Sequence, residues 1–103
     1  MPENAQADVR PASLLKLPEI LDLKAATPLA AEFLALRGRP VHVDAAQVTR
    51  LGGLCLQVLL SAAKTWKIDD TPFALVRPSS DFVEGLARLG ISSADLPYLD
   101  NRP

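Results

Sequence analysis

The chain has 103 residues, 49% hydrophobic and 22% charged, which is ordinary for one globular domain with its own core. Eleven basic residues against twelve acidic ones give a formal charge of −1, which argues against nucleic acid as a partner. A single cysteine excludes an intrachain disulfide, and no apolar run reaches the roughly 18 residues that cross a bilayer. We expect a cytoplasmic protein without membrane insertion.

The N-terminal residues, 1–12, contain Pro2 and Pro11 and lack apolar periodicity. They predict a flexible arm that precedes a single domain over residues 13–103. The following stretch, "SLLKLPEILDL", is rich in leucine but is interrupted by Pro18. A proline cannot donate to a strand ladder, so this stretch predicts an edge strand or a break between two short strands.

The stretch "KAATPLAAEFLALRGRP" predicts a helix that starts at Thr27–Pro28 or nearer Lys24 and ends before Gly38. Its apolar stripe comprises Leu29, Phe33 and Leu36, widened by Ala30 and Leu34. "PVHVD" then predicts a strand that ends at Asp44. A connection follows, in which we expect Ala45, Gln47, Thr49 and Arg50 to be exposed.

A second, well-buried helix is predicted from Gly53 to about Lys67. "FALVRP" predicts a strand with Phe73, Leu75 and Arg77 on one face. "SSDFVEGLARLG" predicts a third helix, capped by Ser80 and ended by Gly90, whose inner face consists of Phe82, Val83, Leu86 and Leu89. The tail from Ile91 predicts either a final strand or a short helical turn.

Strands and helices therefore alternate along the chain, with short connections. The pattern predicts a small α/β domain with a mostly parallel sheet of four to five strands and helices packed on it.

The residues that commonly carry chemistry are sparse. Cys55 lies on a buried line of its helix, which favours a structural thiol, and the one histidine, His42, favours a surface or packing role. Asp69 and Asp70 attract at most a weak cation, and a solvated turn explains them better. The sequence thus predicts no catalytic residue, no metal site and no cofactor.

Two phosphate-handling alternatives fit less well. A response-regulator receiver also places an aspartate at a strand end, as Asp44 does. It also needs two adjacent acidic residues at the end of its first strand and a lysine after a late strand, and this chain has Arg77 in place of the lysine. Gly52 and Gly53 open a helix, whose N–H groups attract anions. The surrounding "TRLGGLCLQ" nevertheless lacks both the P-loop and the dinucleotide-binding spacing.

From about Leu14 to Ile91 the sequence resembles a STAS domain of the anti-sigma factor antagonist type. The most specific part is "VDAAQVTRLGGLCLQVLL", which is similar to the family pattern of a strand-end aspartate, a connection and a phosphorylatable Ser or Thr before a helix. On this resemblance Asp44 matches the strand-end aspartate and Gly53 falls on the phosphoacceptor. The resemblance therefore implies a STAS domain that lacks the usual phosphorylation site.

The resemblance implies a non-catalytic module for protein interaction in bacterial signalling, with an anti-sigma kinase-like or a chemotaxis protein as partner. The same stretch is similar to STAS proteins encoded beside chemotaxis genes, whereas the branch found in lipid-transport ABC complexes typically keeps a threonine near position 53. The partner-binding residues predicted in this way are Asp44, Gln47, Thr49, Arg50, Gly52, Gly53, Leu54 and Gln57. Thr49 and Ser61 are the nearest hydroxyls, and an ordinary structural role is favoured for both.

Two alternative functions stay open on the sequence. The first is a small-ligand or nucleotide sensor that holds an anion on the N–H groups of residues 52–54. The second is an accessory subunit of a larger complex. The sequence does not identify the partner or the oligomeric state.

Overall fold

The computed structural model describes residues 11–91 and Leu96. Within them, eight elements follow one another in a largely alternating order. They are β1 (Ser13–Lys16), β2 (Ile20–Leu21), α1 (Leu23–Leu36), β3 (Val41–Asp44), β4 (Arg50–Leu51), α2 (Gly53–Ile68), β5 (Phe73–Val76) and α3 (Ser80–Arg88). The predicted small α/β domain is confirmed.

All strand pairs in the described residues are parallel, as predicted. One sheet has the order β1-β3-β5, with Leu15, Val43 and Leu75 in register across it. A second sheet consists of β2 and β4 alone. The strands therefore divide between two parallel sheets, and β4 lies where the sequence predicts only a connection, because two residues are too few to show strand alternation.

Pro18 lies in the gap between β1 and β2, so it marks the predicted break between two short strands. The helix α1 begins at Leu23 because the Asp22 side chain accepts hydrogen bonds from the N–H groups of Lys24 and Ala25, at 3.1 and 3.2 Å. Of the two predicted helix starts, the one nearer Lys24 is correct. The helix ends before Gly38, whose φ of +91° is left-handed.

An aromatic cluster in the core joins α1, α2 and β5. The ring centroids of Phe33, Trp66 and Phe73 lie 5.9 to 6.1 Å apart in pairs. The buried Trp66 indole also donates a hydrogen bond of 2.7 Å to the Arg39 carbonyl. This cluster fixes α1 and α2 side by side against the three-stranded sheet.

The helix α3 packs on β4 through Gly85, where an added Cβ would lie 3.0 Å from the Leu51 Cβ. Its cap is Ser79, not Ser80 as predicted, because the Ser79 hydroxyl accepts from the Phe82 N–H at 3.0 Å and donates to the Val48 carbonyl at 2.6 Å. The predicted inner face is correct for Phe82 and Leu86, whereas Val83 and Leu89 are exposed. Because α3 has only nine residues and packs on the rest of the domain along a narrow face, only part of its apolar stripe is buried.

The predicted N-terminal arm lies outside the described residues except for Pro11 and Ala12, and the element predicted after Ile91 lies outside them except for Leu96. In the described part of the chain, no helix is both long enough and apolar enough to span a membrane.

Candidate partner-binding surface

Asp44, the predicted strand-end aspartate, lies at the carboxyl edge of the central strand β3 and is 1% exposed. One carboxylate oxygen accepts from the Ala46 N–H at 2.9 Å, and the other accepts from the Arg77 guanidinium. The Asp44 side chain is therefore turned inward. Asp44 is one of the predicted partner-binding residues, and the structure places it in a buried position where its hydrogen bonds hold the strand end together.

The surroundings of Asp44 keep it ionised. Burial alone would raise the pKa of Asp44. The hydrogen bonds from Arg77 and the Ala46 N–H, with the positive charges of Arg77 and Lys16, outweigh burial and lower the pKa below its ordinary value. The carboxylate is thus a permanent structural anion at neutral pH.

Arg77 is a residue whose role the sequence did not indicate. The strand β5 ends at Val76, and Arg77 adopts a left-handed φ of +49°, which directs its side chain toward Asp44 instead of along the face of Phe73 and Leu75. Such a backbone costs about 1 kcal/mol for a residue other than glycine. Its side chain is 67% exposed while it reaches the buried carboxylate.

The connection after Asp44 is fixed by hydrogen bonds to the segment between β1 and β2. The Gln47 side-chain amide donates to the Leu17 carbonyl at 2.9 Å, and the Thr49 hydroxyl donates to the Glu19 carbonyl at 3.2 Å. Both residues are exposed, as expected, but Ala45 is fully buried, contrary to expectation, and its N–H donates into the sheet edge. The surface of the connection is therefore preorganised.

The two glycines at the start of α2 have different roles. The Gly52 N–H donates to the Leu21 carbonyl at 2.8 Å, and a Cβ at position 52 would lie 2.9 Å from that same oxygen. A Cβ at Gly53 would meet nothing within 4 Å. Gly52 is thus required by close packing between β2 and the helix start, whereas Gly53 is open to solvent.

Four of the predicted partner-binding residues are exposed together where β4 passes into α2. They are Arg50, Gly53, Leu54 and Gln57, and we call them the α2-start surface. Leu54 is 49% exposed and gives this surface a large apolar side chain. The helix carries no side-chain cap and no acid in its first turn, so its partial positive charge faces outward.

Cys55 and Asp69 have structural roles. Cys55 is buried as predicted, and its thiol donates to the Asp22 carbonyl at 3.2 Å. Burial and the charge of Asp22 raise the pKa of the Cys55 thiol. Asp69 pairs with Arg37 through bonds of 2.9 and 3.2 Å, which lower the Asp69 pKa.

His42 is half-buried in β3. Among residues 11–91 and Leu96, no group of three or more His, Cys, Asp or Glu side chains is placed to hold a metal ion.

Comparison with protein families identifies a matching family. A family model described as "Mlab, STAS domain" matches residues 5–97. Neither a curated protein nor a solved structure matches the chain significantly.

Proposed function

The chain belongs to the STAS-domain family, and we propose that it is a non-catalytic interaction module that binds a signalling protein in the bacterial cytoplasm. The partner is an anti-sigma kinase-like protein or a chemotaxis component. The observation that supports this proposal most is the α2-start surface, where Arg50, Gly53 and Leu54 are exposed beside a connection held by internal hydrogen bonds. A preformed surface binds with little loss of conformational entropy.

The proposal includes the absence of the phosphorylation switch. Phosphorylation acts by adding nearly two negative charges, and Gly53 has no hydroxyl to receive them. Packing does not require a glycine there, because the space around it is open. The Thr49 hydroxyl is bonded to the Glu19 carbonyl, and Ser61 lies two turns further along α2. The surface accordingly stays in one unphosphorylated state.

The test compares two surface variants with two matched controls. Arg50→Glu and Gly53→Trp alter exposed positions of the α2-start surface, whereas Arg88→Glu and Ala87→Trp introduce the same two residue types at exposed positions of α3. We expect the first pair to lose the proteins that co-purify with the tagged wild type, and the second pair to retain them. Retention by all four variants, with unchanged melting temperatures, would show that this surface does not bind the partner.

A second candidate is an accessory subunit of a larger complex. It is considered because the matching family model is described as a STAS domain and not as an anti-sigma factor antagonist. Size-exclusion chromatography at low protein concentration separates the two functions. A permanent subunit co-elutes with its complex in fixed stoichiometry, whereas a signalling module dissociates as it is diluted.

A further inference from the structure

The connection between β3 and β4, residues 45–49, is held from two sides. On one side lies the segment between β1 and β2, to which the Gln47 and Thr49 side chains donate. On the other side lie residues 77–79, between β5 and α3, which we call the β5–α3 turn. The connection ends at Arg50 of the α2-start surface. A residue that fixes the connection from the β5–α3 turn can therefore influence that surface without belonging to it.

Ser79 joins the β5–α3 turn to the connection through both its backbone and its side chain. Its N–H donates to the Ala45 carbonyl at 3.1 Å, and its hydroxyl donates to the Val48 carbonyl at 2.6 Å. Ala45 and Val48 are both buried, so these hydrogen bonds replace bonds to water that the two carbonyl groups have lost. The backbone of the connection is thus tied to the start of α3.

Arg77 contacts the residue from which the connection begins. Its guanidinium donates to Asp44, whose other carboxylate oxygen accepts from the Ala46 N–H at 2.9 Å. Asp44 therefore links the β5–α3 turn to the first residues of the connection. Without the Arg77 side chain, a carboxylate that is 1% exposed would lose its counter-charge. Because an unpaired buried charge is costly, Asp44 would turn toward water and release the Ala46 N–H.

The backbone of the β5–α3 turn depends on the same ion pair. Arg77 has a left-handed φ of +49° directly before Pro78, a combination that is unfavourable locally. This reversal of the chain turns Arg77 toward Asp44 and leads to Ser79 at the cap of α3. The pair with Asp44 offsets the cost of the conformation, so the turn and the ion pair stabilise each other.

We propose that Arg77 is a positioning residue for partner binding: through Asp44 it holds the connection in the conformation that presents the α2-start surface. This inference rests on the proposed function, because it names a residue on which that surface depends. Without the Arg77 side chain the connection samples several conformations, and the partner must order it on binding. The affinity then falls, although every exposed residue of the α2-start surface is still present.

The first test is hydrogen exchange of the chain alone, measured by mass spectrometry. We expect Arg77→Met to raise the exchange rate over residues 45–50 about tenfold, because it frees the connection locally. Trp66→Phe is a control that also destabilises the fold, but Trp66 packs on Phe73 at the other end of β5 from Arg77. It should leave the exchange rate over residues 45–50 unchanged, because these residues exchange by local opening.

The second test measures the affinity for the protein that co-purifies with the tagged wild-type chain. We expect Arg77→Met to weaken this affinity about tenfold and Trp66→Phe to leave it unchanged. Arg77→Lys should retain most of the affinity, because the pair uses one guanidinium nitrogen and an ammonium group can replace it. Arg77→Gly adopts the left-handed φ without strain but removes the pair, so it should weaken the affinity as Arg77→Met does.

Several outcomes would overturn the role of Arg77. One is unchanged exchange over residues 45–50 in Arg77→Met, and another is unchanged affinity despite faster exchange. Equal losses of affinity in Arg77→Met and Trp66→Phe would assign the effect to global stability. Full affinity in Arg77→Gly would assign it to the backbone of the turn and not to the ion pair.

Arg50→Glu, in the α2-start surface, separates this inference from the proposed function. Loss of binding in Arg50→Glu but not in Arg77→Met leaves the proposed function standing and overturns only the role of Arg77. Binding that survives both changes contradicts the proposed function itself, as does the lack of any protein that co-purifies with the wild-type chain.

Discussion

Gly52 and Gly53 are adjacent, yet the structure predicts opposite effects when each is replaced by alanine. At position 52 the added Cβ would lie 2.9 Å from the Leu21 carbonyl oxygen, which is a backbone atom and cannot rotate away. The same oxygen accepts the Gly52 N–H at 2.8 Å, so relief of the clash stretches a bond between β2 and the start of α2. At position 53 the Cβ enters open space.

The magnitudes follow from these contacts. Overpacking of this kind costs about 1–3 kcal/mol, so Gly52→Ala should lower the free energy of unfolding by that amount. Gly53 is the first residue of α2, where alanine loses less backbone entropy on folding, and Gly53→Ala should be neutral or stabilising by up to about 1 kcal/mol. For a domain of this size, each kcal/mol corresponds to a change of about 4–8 °C in melting temperature.

Urea unfolding followed by tryptophan fluorescence measures both variants, because Trp66 is the only tryptophan and is buried in the core. Gly52→Ala should shift the midpoint down, and Gly53→Ala should leave it unchanged or shift it up, with equal slopes. If the two variants were destabilised equally, or if Gly52→Ala were neutral, the distinct roles assigned to the two glycines would be refuted.

Three further predictions concern the ion pair, the core and ligand binding. Folding lowers the pKa of Asp44, so its pairing stabilises the fold above the unfolded pKa of about 4 and is lost as pH falls through the folded pKa. Arg77→Met should therefore cost about 1–3 kcal/mol at pH 7 and much less near pH 2, as measured by urea unfolding across pH. Trp66→Phe should lower the free energy of unfolding by about 1–3 kcal/mol, because it removes the 2.7 Å hydrogen bond to the Arg39 carbonyl and leaves a cavity. Thermal unfolding followed by circular dichroism measures this, and an unchanged melting temperature would contradict it. In a thermal-shift screen we expect no nucleotide to stabilise the protein, whereas a true ligand at 100 times its dissociation constant adds about 2.7 kcal/mol and would favour the anion-sensing alternative.

The sequence predicts the class of the fold and most elements because their signals are local. Leucine and phenylalanine recur with helical period in α1, Gly38 ends that helix, and Pro18 separates β1 from β2. The sequence does not decide between two starting residues for α1. The Thr27–Pro28 pair fits a helix start as well as the site that the Asp22 side chain caps.

The contacts of the candidate site depend on tertiary structure and were beyond sequence reasoning. A left-handed backbone at Arg77, directly before a proline, is disfavoured locally and is compensated by the buried Asp44 carboxylate, which no local pattern reveals. The exposure of Leu34 likewise depends on where the neighbouring helix lies. The distinction between Gly52 and Gly53 requires the position of the Leu21 carbonyl, 31 residues earlier than Gly52 in the chain.

The central claim is that a partner binds where β4 passes into α2. Hydrogen exchange, measured by mass spectrometry on the chain alone and bound to its purified partner, tests this most directly. We predict slower exchange over residues 47–57 in the complex and unchanged exchange in α3 (Ser80–Arg88). Slower exchange confined to α3 or β1, with residues 47–57 unchanged, would contradict the account.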